Sequence, residues 1–219
     1  MKSKNSDIER EIEEFERGLQ VLDINYDDTI LAKFKKYLEI LYAYKNKLHL
    51  ISHGDYNRIS KKHFLTSLLT LPYIKDHNNI CDIGAGAGFP SVPLKILRPQ
   101  INFTLFESKT KKADFLKILT NTLNLSNIAI VNNRAENYSD ANFDLILVKA
   151  AGKIKKLIKT IDHLIAPQGL AIFYKSPRFN EEIKIARKEI EKRKFEIQII
   201  MTKTALENLP LALVILKKL

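Results

Sequence analysis

The sequence predicts an α/β protein in which a mostly parallel sheet is covered by helices and preceded by a helical cap. Three observations carry that expectation. Before Asn79 the apolar residues recur only at helical spacing. From Asn79 onward, short apolar runs alternate with segments of helix length, as parallel βαβ units require. At the head of that alternating part a glycine-rich turn, Gly84–Gly88, joins the first strand to the first helix.

In the first cap helix Ile8, Ile12, Phe15 and Leu19 share one face, with glutamates between them. A second helix runs from about Asp28 to Tyr44, presents Ile30, Phe34, Leu38 and Leu41, and has Asp27 or Asp28 as its N-cap. Gly54 signals a turn, and a third helix is expected from about Lys61 to Ile74, with Pro72 late in it. Strands are expected at Ile80–Ile83, Asn102–Glu107, Ile128–Asn132, Phe143–Val148, Leu170–Lys175, Phe195–Met201 and Leu211–Leu216. The helices between them are Pro93–Leu97, Lys111–Leu123, Lys153–Ile165 and Phe179–Lys194. The last two strands are joined by a short connection, which makes the final strand antiparallel. The expected division is a cap over residues 1–75 and an α/β domain over residues 76–219.

At 219 residues the chain can bury a real core without staples. Its single cysteine, Cys81, excludes an intrachain disulfide scaffold and a cysteine-rich zinc cluster. It lies inside the first strand and reads as a small buried hydrophobe. No run of about 18 apolar residues occurs, so no transmembrane helix is expected. The highly charged N-terminus has no apolar signal-peptide core. A cytoplasmic monomer with no metal is the expectation: His49, His53, His63, His77 and His163 show no metal-ligand spacing.

The net charge is +11, from 36 basic and 25 acidic residues. It is unevenly distributed: −5 over residues 1–30, +6 over 31–80, +2 over 81–150 and +8 over 151–219. Basic flanks around a nearly neutral middle point to a polyanionic partner. Only eight of the basic residues are arginine, so lysine-rich codon usage is a competing source of the same excess.

The glycine turn carries the chemistry. It reads Asp82-Ile83-Gly84-Ala85-Gly86-Ala87-Gly88-Phe89-Pro90. Glycines let a backbone turn sharply and approach a ligand beyond the carboxyl ends of the strands. The spacing is Gly-x-Gly-x-Gly, not the Gly-x-Gly-x-x-Gly of dinucleotide binders. Asp82, two positions before Gly84, suits a ligand with an amino group better than one with a pyrophosphate. S-Adenosylmethionine is such a ligand. Glu107, ending the second strand, can accept both ribose hydroxyls. The loop after the third strand, Asn133-Arg134-Ala135-Glu136, would border the base. A turn that binds nothing and a nicotinamide or flavin site are the rival readings.

The acceptor is narrowed by what is missing. Attack through a pyrimidine carbon needs a catalytic cysteine, and Cys81 is in the wrong place. Methylation of an exocyclic base amine goes with an Asp/Asn-Pro-Pro-aromatic motif after the fourth strand, where this chain has Val148-Lys149-Ala150-Ala151. A ring nitrogen such as guanine N7 has a free lone pair and no proton to lose. Proximity and alignment then suffice without a general base.

These residues together resemble the bacterial small-subunit (16S) ribosomal RNA guanine-N7 methyltransferases, the RsmG or GidB family. The match runs from about Leu41 to Lys175 and is strongest in the glycine turn with its Gly88-Phe89-Pro90 continuation. It includes the cap segment His63-Phe64-Leu65-Thr66-Ser67-Leu68. The resemblance implies a Rossmann-like S-adenosylmethionine-dependent methyltransferase fold with a seven-stranded, mostly parallel sheet. It implies that Gly84 and Phe89 lie against the methionine and adenosine, that Glu107 holds the ribose, and that Ala135 and Glu136 border the adenine. Asp82, Gly86 and Lys149 complete the expected cofactor set. Four residues depart from the family pattern: Thr66 for Asp, Ser91 for Gly, Lys149 for Arg and Ser176 for Gly. Lysine loses arginine's bidentate fork, so the change at Lys149 is not neutral.

Substrate contacts are expected from His63, for which a hydrogen bond within the cap is the competing structural reading, and from the basic run Lys153, Lys155 and Lys156 after the fourth strand, with Lys175 at the end of the fifth. A solvated helix face is the bland reading of that run. The expected partner is 16S rRNA or the small ribosomal subunit, with no membrane. Two further readings stay open: a small-molecule or protein methyltransferase on the same fold, and a weakened or non-catalytic RNA-binding or assembly protein.

Overall fold

The computed structural model describes residues 2–74, 79–139, 142–176, 178–202 and 211–219; His77 and the expected boundary between residues 75 and 76 lie outside them. Two helices open the chain, α1 (Lys2–Val21) and α2 (Asp28–Tyr44). Asp27 caps α2 by accepting from the Ile30 N–H at 2.8 Å. Seven strands form one sheet: β1 (Asn79–Ile83), β2 (Asn102–Phe106), β3 (Ile128–Val131), β4 (Phe143–Lys149), β5 (Ile165–Lys175), β6 (Phe195–Thr202) and β7 (Leu211–Lys218). Their order is β3-β2-β1-β4-β5-β7-β6. The first five are mutually parallel, and β7 runs antiparallel to both β5 and β6, as the short final connection predicts.

The third cap helix differs from its expectation. Instead of one α-helix to Ile74, the chain winds wide over Ser60–Leu65, tightens to an α turn at Thr66–Leu68 (together α3), and ends in a separate tight turn at Leu71–Tyr73. The cause is local. The Thr66 and Ser67 hydroxyls donate back to the Lys62 and His63 carbonyls at 2.6 and 2.5 Å, competing with the helical ladder. Pro72 then has no N–H to continue it. The other departure is β5, which begins at Ile165, directly after α6 (Ile154–Leu164). Its early part carries a register shift opposite Phe143 and a left-handed Gln168, so Pro167-Gln168-Gly169 is a bulge within the strand. The remaining helices are α4 (Ser91–Leu97), α5 (Thr110–Thr122) and α7 (Asn180–Lys192).

Alternation along β4 divides the interior. Leu145 and Leu147 join Ile172 and Ile215 on the face that packs α4, α5 and the cap. Ile146 and Val148 join Phe173 and Val214 under α6 and α7. The cap therefore shares a core with one face of the sheet. Its centre is aromatic: Phe34 lies 4.1 Å from Phe15 and 4.9 Å from Phe64, ring to ring. The buried Glu11 of α1 accepts the Ser60 N–H at 2.7 Å, which fixes the start of α3. Where α3 sits decides what the cap adds to the site.

Candidate active site

Beyond the carboxyl end of β1 the backbone turns through left-handed conformations at Gly84, Gly86 and Gly88. The turn is tied down from two sides. The Gly84 and Ala85 N–H groups donate to the Phe106 carbonyl at 2.9 and 3.1 Å. The Glu107 carboxylate accepts the Gly86 N–H at 3.0 Å and the Lys109 N–H at 2.8 Å. A side chain at Gly84 would meet Ala151 Cβ at 2.6 Å, and one at Gly88 would meet Tyr37 Oη at 2.7 Å, so both positions need glycine on space as well as conformation.

Asp82 lies fully buried beneath this turn. Its Oδ2 accepts from the Ser91 hydroxyl at 2.7 Å, and its Oδ1 has no partner. Burial pushes its carboxyl up to about 7, against the Ser91 hydrogen bonds and the Lys149 charge. Ser91, a departure from the family pattern, thus serves as a partner for this carboxylate.

Two cavities meet at Gly84. One, of about 310 Å³, is bordered by Phe106, Asn133, Arg134, Ala135, Glu136 and Lys156. The other, of about 450 Å³, is lined by the turn from Gly84 to Ala87, by Phe89, Lys112 and Lys149, and by the cap residues His49, Asp55 and His63. A third cavity, of about 480 Å³ behind the cap at Leu22–Asn25 and Arg98, contains none of the expected site residues.

The cap forms much of the second cavity's wall. The Phe89 ring is stacked between Tyr37 (5.4 Å, 20°) and His63 (4.8 Å, 19°). The Tyr37 hydroxyl donates to the Ala87 carbonyl at 2.6 Å. Phe89 therefore lines the 450 Å³ cavity and is not among the residues bordering the other. His63 is held neutral, its pKa lowered to about 3 by burial and then by the Lys149 charge. Its Nε2 stands 3.4 Å from Asp55 Oδ2 and has no hydrogen-bond partner.

Lys149, at the end of β4, reaches into the cap. Its Nζ donates to Thr66 Oγ1 at 3.0 Å and lies 3.5 Å from Ser67 Oγ. It sits over the Phe89 ring at 5.3 Å and the Tyr174 ring at 5.7 Å. Burial lowers its ammonium to about 7, with the Asp82 charge opposing. Thr66 and Lys149, two of the four expected departures, are thus one contact, a hydroxyl–ammonium pair. Nothing in the structure explains Ser176.

The expected substrate residues separate. Lys153 and Lys155 are exposed beyond β4 and line neither cavity, while Lys156 borders the smaller one. Lys175 is engaged elsewhere, donating to the Gly152 carbonyl at 2.9 Å and pairing with Glu182 at 2.7 Å. Cys81 is free and buried, and burial raises its thiol pKa, which leaves it inert. Sequence reasoning missed Asp55 as a cavity wall and Tyr37 as the ring that backs Phe89. Asp55 stands beside the Gly54 turn signal, and nothing in its spacing points to a site. Among the described residues no cluster of metal-ligating side chains occurs, and no helix is long and apolar enough to cross a membrane.

A family model described as GidB, rRNA small subunit methyltransferase G, matches residues 30–209, from early in α2 to just before β7. The chain is similar to ribosomal RNA small subunit methyltransferase G of Lactococcus lactis subsp. lactis, with 34% identity over 186 residues, 81% of this chain and 78% of the relative. It is similar to the protein of that name from Oceanobacillus iheyensis, with 33% identity over 198 residues, 87% and 83% of the two chains. Among solved structures, the O-methyltransferase from Bacillus cereus in complex with SAH superimposes with a TM-score of 0.62 at 17% identity, covering 89% of this chain and 93% of that one. An rRNA methylase from Streptococcus thermophilus gives 0.54 at 16% identity, covering 72% and 97%. These two likenesses show the fold.

Proposed function

The chain belongs to the GidB family of rRNA small subunit methyltransferases, and from that premise we propose that it transfers the methyl group of S-adenosylmethionine to N7 of a guanine in 16S ribosomal RNA. It does so as a cytoplasmic monomer, on free rRNA or on the small ribosomal subunit.

The observation that carries this reading is the pair of cavities that meet at Gly84, one bordered by strand-end loops and the other closed by the cap. The residues present fit the cofactor on two counts. Gly84 leaves a gap that a single Cβ would close against Ala151. Asp82 carries a buried oxygen without a partner. In this reading Ala135 and Glu136 would border the adenine, and Glu107 would hold the ribose with the lone pairs that the Gly86 and Lys109 amides leave free. Gly84, Gly86 and Phe89 would bound the methionine end, with Asp82 buried beneath them, and the Lys149 ammonium would hold the carboxylate of the amino acid.

Bound S-adenosylmethionine supplies an activated methyl group whose carbon–sulfur bonding pair stays on sulfur as guanine N7 takes the carbon. No proton leaves N7, so the chain needs no general base. His63, its pKa lowered to about 3, is a poor proton acceptor, and Cys81 is buried. What this chain contributes is alignment and exclusion of water: the cap and the Phe89 stack wall the cavity, and the turn fixes its floor. Lys153 and Lys155, exposed beyond β4, are assigned to rRNA phosphates. The Lys149–Thr66 contact favours an active enzyme over a weakened one, because the substituted cation keeps a partner.

The test is transfer of labelled methyl from S-adenosylmethionine to unmethylated small subunits, followed by digestion to nucleosides. Label in 7-methylguanosine supports the proposal. Label in another nucleoside, or only in metabolites or protein, refutes it.

A further inference from the structure

Asp55 is the single carboxylate among the described residues that line the 450 Å³ cavity. It comes from the cap, on the tight turn His53–Asp55 that precedes α3, and only 8% of its side chain is exposed. Burial works against its ionisation. Hydrogen bonds from Lys62 and Ser52 and the Lys62 charge prevail, and its carboxyl is held below the usual range. The Lys62 ammonium sits 2.6 Å from Oδ1. Oδ2 faces the neutral His63, whose Nε2 makes no hydrogen bond to it. A buried anion with unused acceptor capacity therefore stands in a cavity whose other charged groups, Lys112 and Lys149, are cations.

We infer that Asp55 reads the target base, accepting hydrogen bonds from N1–H and N2–H of the guanine. This rests on the guanine-N7 reading above and deepens it. Only guanine offers two adjacent donors along its Watson–Crick edge. Adenine and cytosine place a bare ring nitrogen beside their amine, and uracil flanks its one donor with acceptors, so a carboxylate meets repulsion there. N7 lies on the far side of the purine from N1 and N2. A base held by that edge against the cap turns N7 away from Asp55. As N7 takes the methyl group the purine becomes cationic, N1–H and N2–H become stronger donors, and both bonds to the carboxylate tighten. Asp55 thus contributes to rate as well as to choice of base. Lys62 is a positioning residue, keeping the carboxylate ionised and oriented.

The test compares guanine with inosine, which lacks only the N2 amine, at the mapped target position of reconstituted small subunits. Two readouts are taken: kcat/KM, and subunit affinity in the presence of S-adenosylhomocysteine. For the unaltered protein inosine is expected to lower kcat/KM by about 10- to 100-fold, the effect of losing one hydrogen bond to a charged group. In Asp55→Asn that preference should shrink to about threefold or less in both readouts, because the amide donor opposes N2–H. Binding of S-adenosylhomocysteine should stay unchanged. In Lys62→Met, which removes the positioning ion pair and keeps the carboxylate, the preference should fall by less than in Asp55→Asn. An undiminished preference in Asp55→Asn overturns the assignment, and so does equal loss in both variants. Should Asp55→Asn fail to fold, Asp55→Glu decides: a preference that survives its longer reach unaltered overturns the assignment, and one that falls supports it. An unaltered protein that methylates no guanine refutes the guanine-N7 reading instead, so the two failures are distinguishable.

Discussion

The two sides of the Gly84 turn are built on different principles. The sheet side is backbone and short-range: β1 and β2 end next to each other in register, their loops meet, and Glu107 clamps the Gly86 amide 21 residues away. The cap side is side chain and long-range: Lys149 meets Thr66 across 83 residues, and Tyr37 meets Ala87 across 50. In the proposed reading cofactor recognition falls to the first, whose backbone geometry tolerates few substitutions. Choice of acceptor suits the second, because side chains can change without disturbing the sheet.

Breaking the sheet side should have the largest effect. Gly84→Asp puts a branched, charged side chain where a Cβ alone stands 2.6 Å from Ala151, at a φ of +77°. Titration calorimetry with S-adenosylhomocysteine should show affinity lower by about 100-fold or more, each factor of ten corresponding to about 1.4 kcal/mol of strain or lost contact. Unchanged binding would place the cofactor elsewhere.

Lys149→Met tests where the two sides join. Removing a buried cation from the cap contact is expected to leave the melting temperature unchanged or raise it. Cofactor affinity should nonetheless fall about tenfold, through loss of one charge-assisted hydrogen bond to the amino-acid carboxylate. A lower melting temperature with full affinity would make Lys149 a strut of the cap and nothing more.

The remaining effect belongs to the cap alone and is read in stability, with cofactor affinity untouched. His63 protonates near 6.5 when unfolded and near 3 when folded. The folded state therefore binds fewer protons between those values. Stability should fall as pH drops from about 6.5 toward 3, by at most about 1.4 kcal/mol per pH unit. His63→Gln should flatten that slope in denaturant titrations. His63 ring resonances that titrate between pH 5 and 8 would contradict its burial against Phe89.

The same contrast explains what was legible in the sequence. Strand-end motifs are contiguous, so Asp82, Gly84, Gly86 and Glu107 were read from spacing and meet where the spacing places them. The parallel pairing of the sheet follows from alternation of strands with helices, and the antiparallel last strand from its short connection. The irregular winding of α3 was hidden because it depends on two hydroxyls bonding back to carbonyls, which helical periodicity does not register. Asp55 was hidden because a carboxylate beside a glycine turn reads as solvent-facing until α3 closes over it. The Thr66–Lys149 pairing was hidden because two departures 83 residues apart look independent until the fold brings them to 3.0 Å. The chain's +11 charge is likewise refined: Lys175 belongs to an internal ion pair, while Lys153 and Lys155 are exposed.

The most direct measurement of this division of labour is a crystal structure of the protein with S-adenosylhomocysteine. The account predicts adenine in the cavity bordered by Ala135 and Glu136, with the amino-acid end beyond Gly84 against Lys149 and Phe89, leaving the Asp55 wall open for the base. Adenine seated against Asp55 and His63, or a ligand bound behind the cap near Arg98, would contradict it.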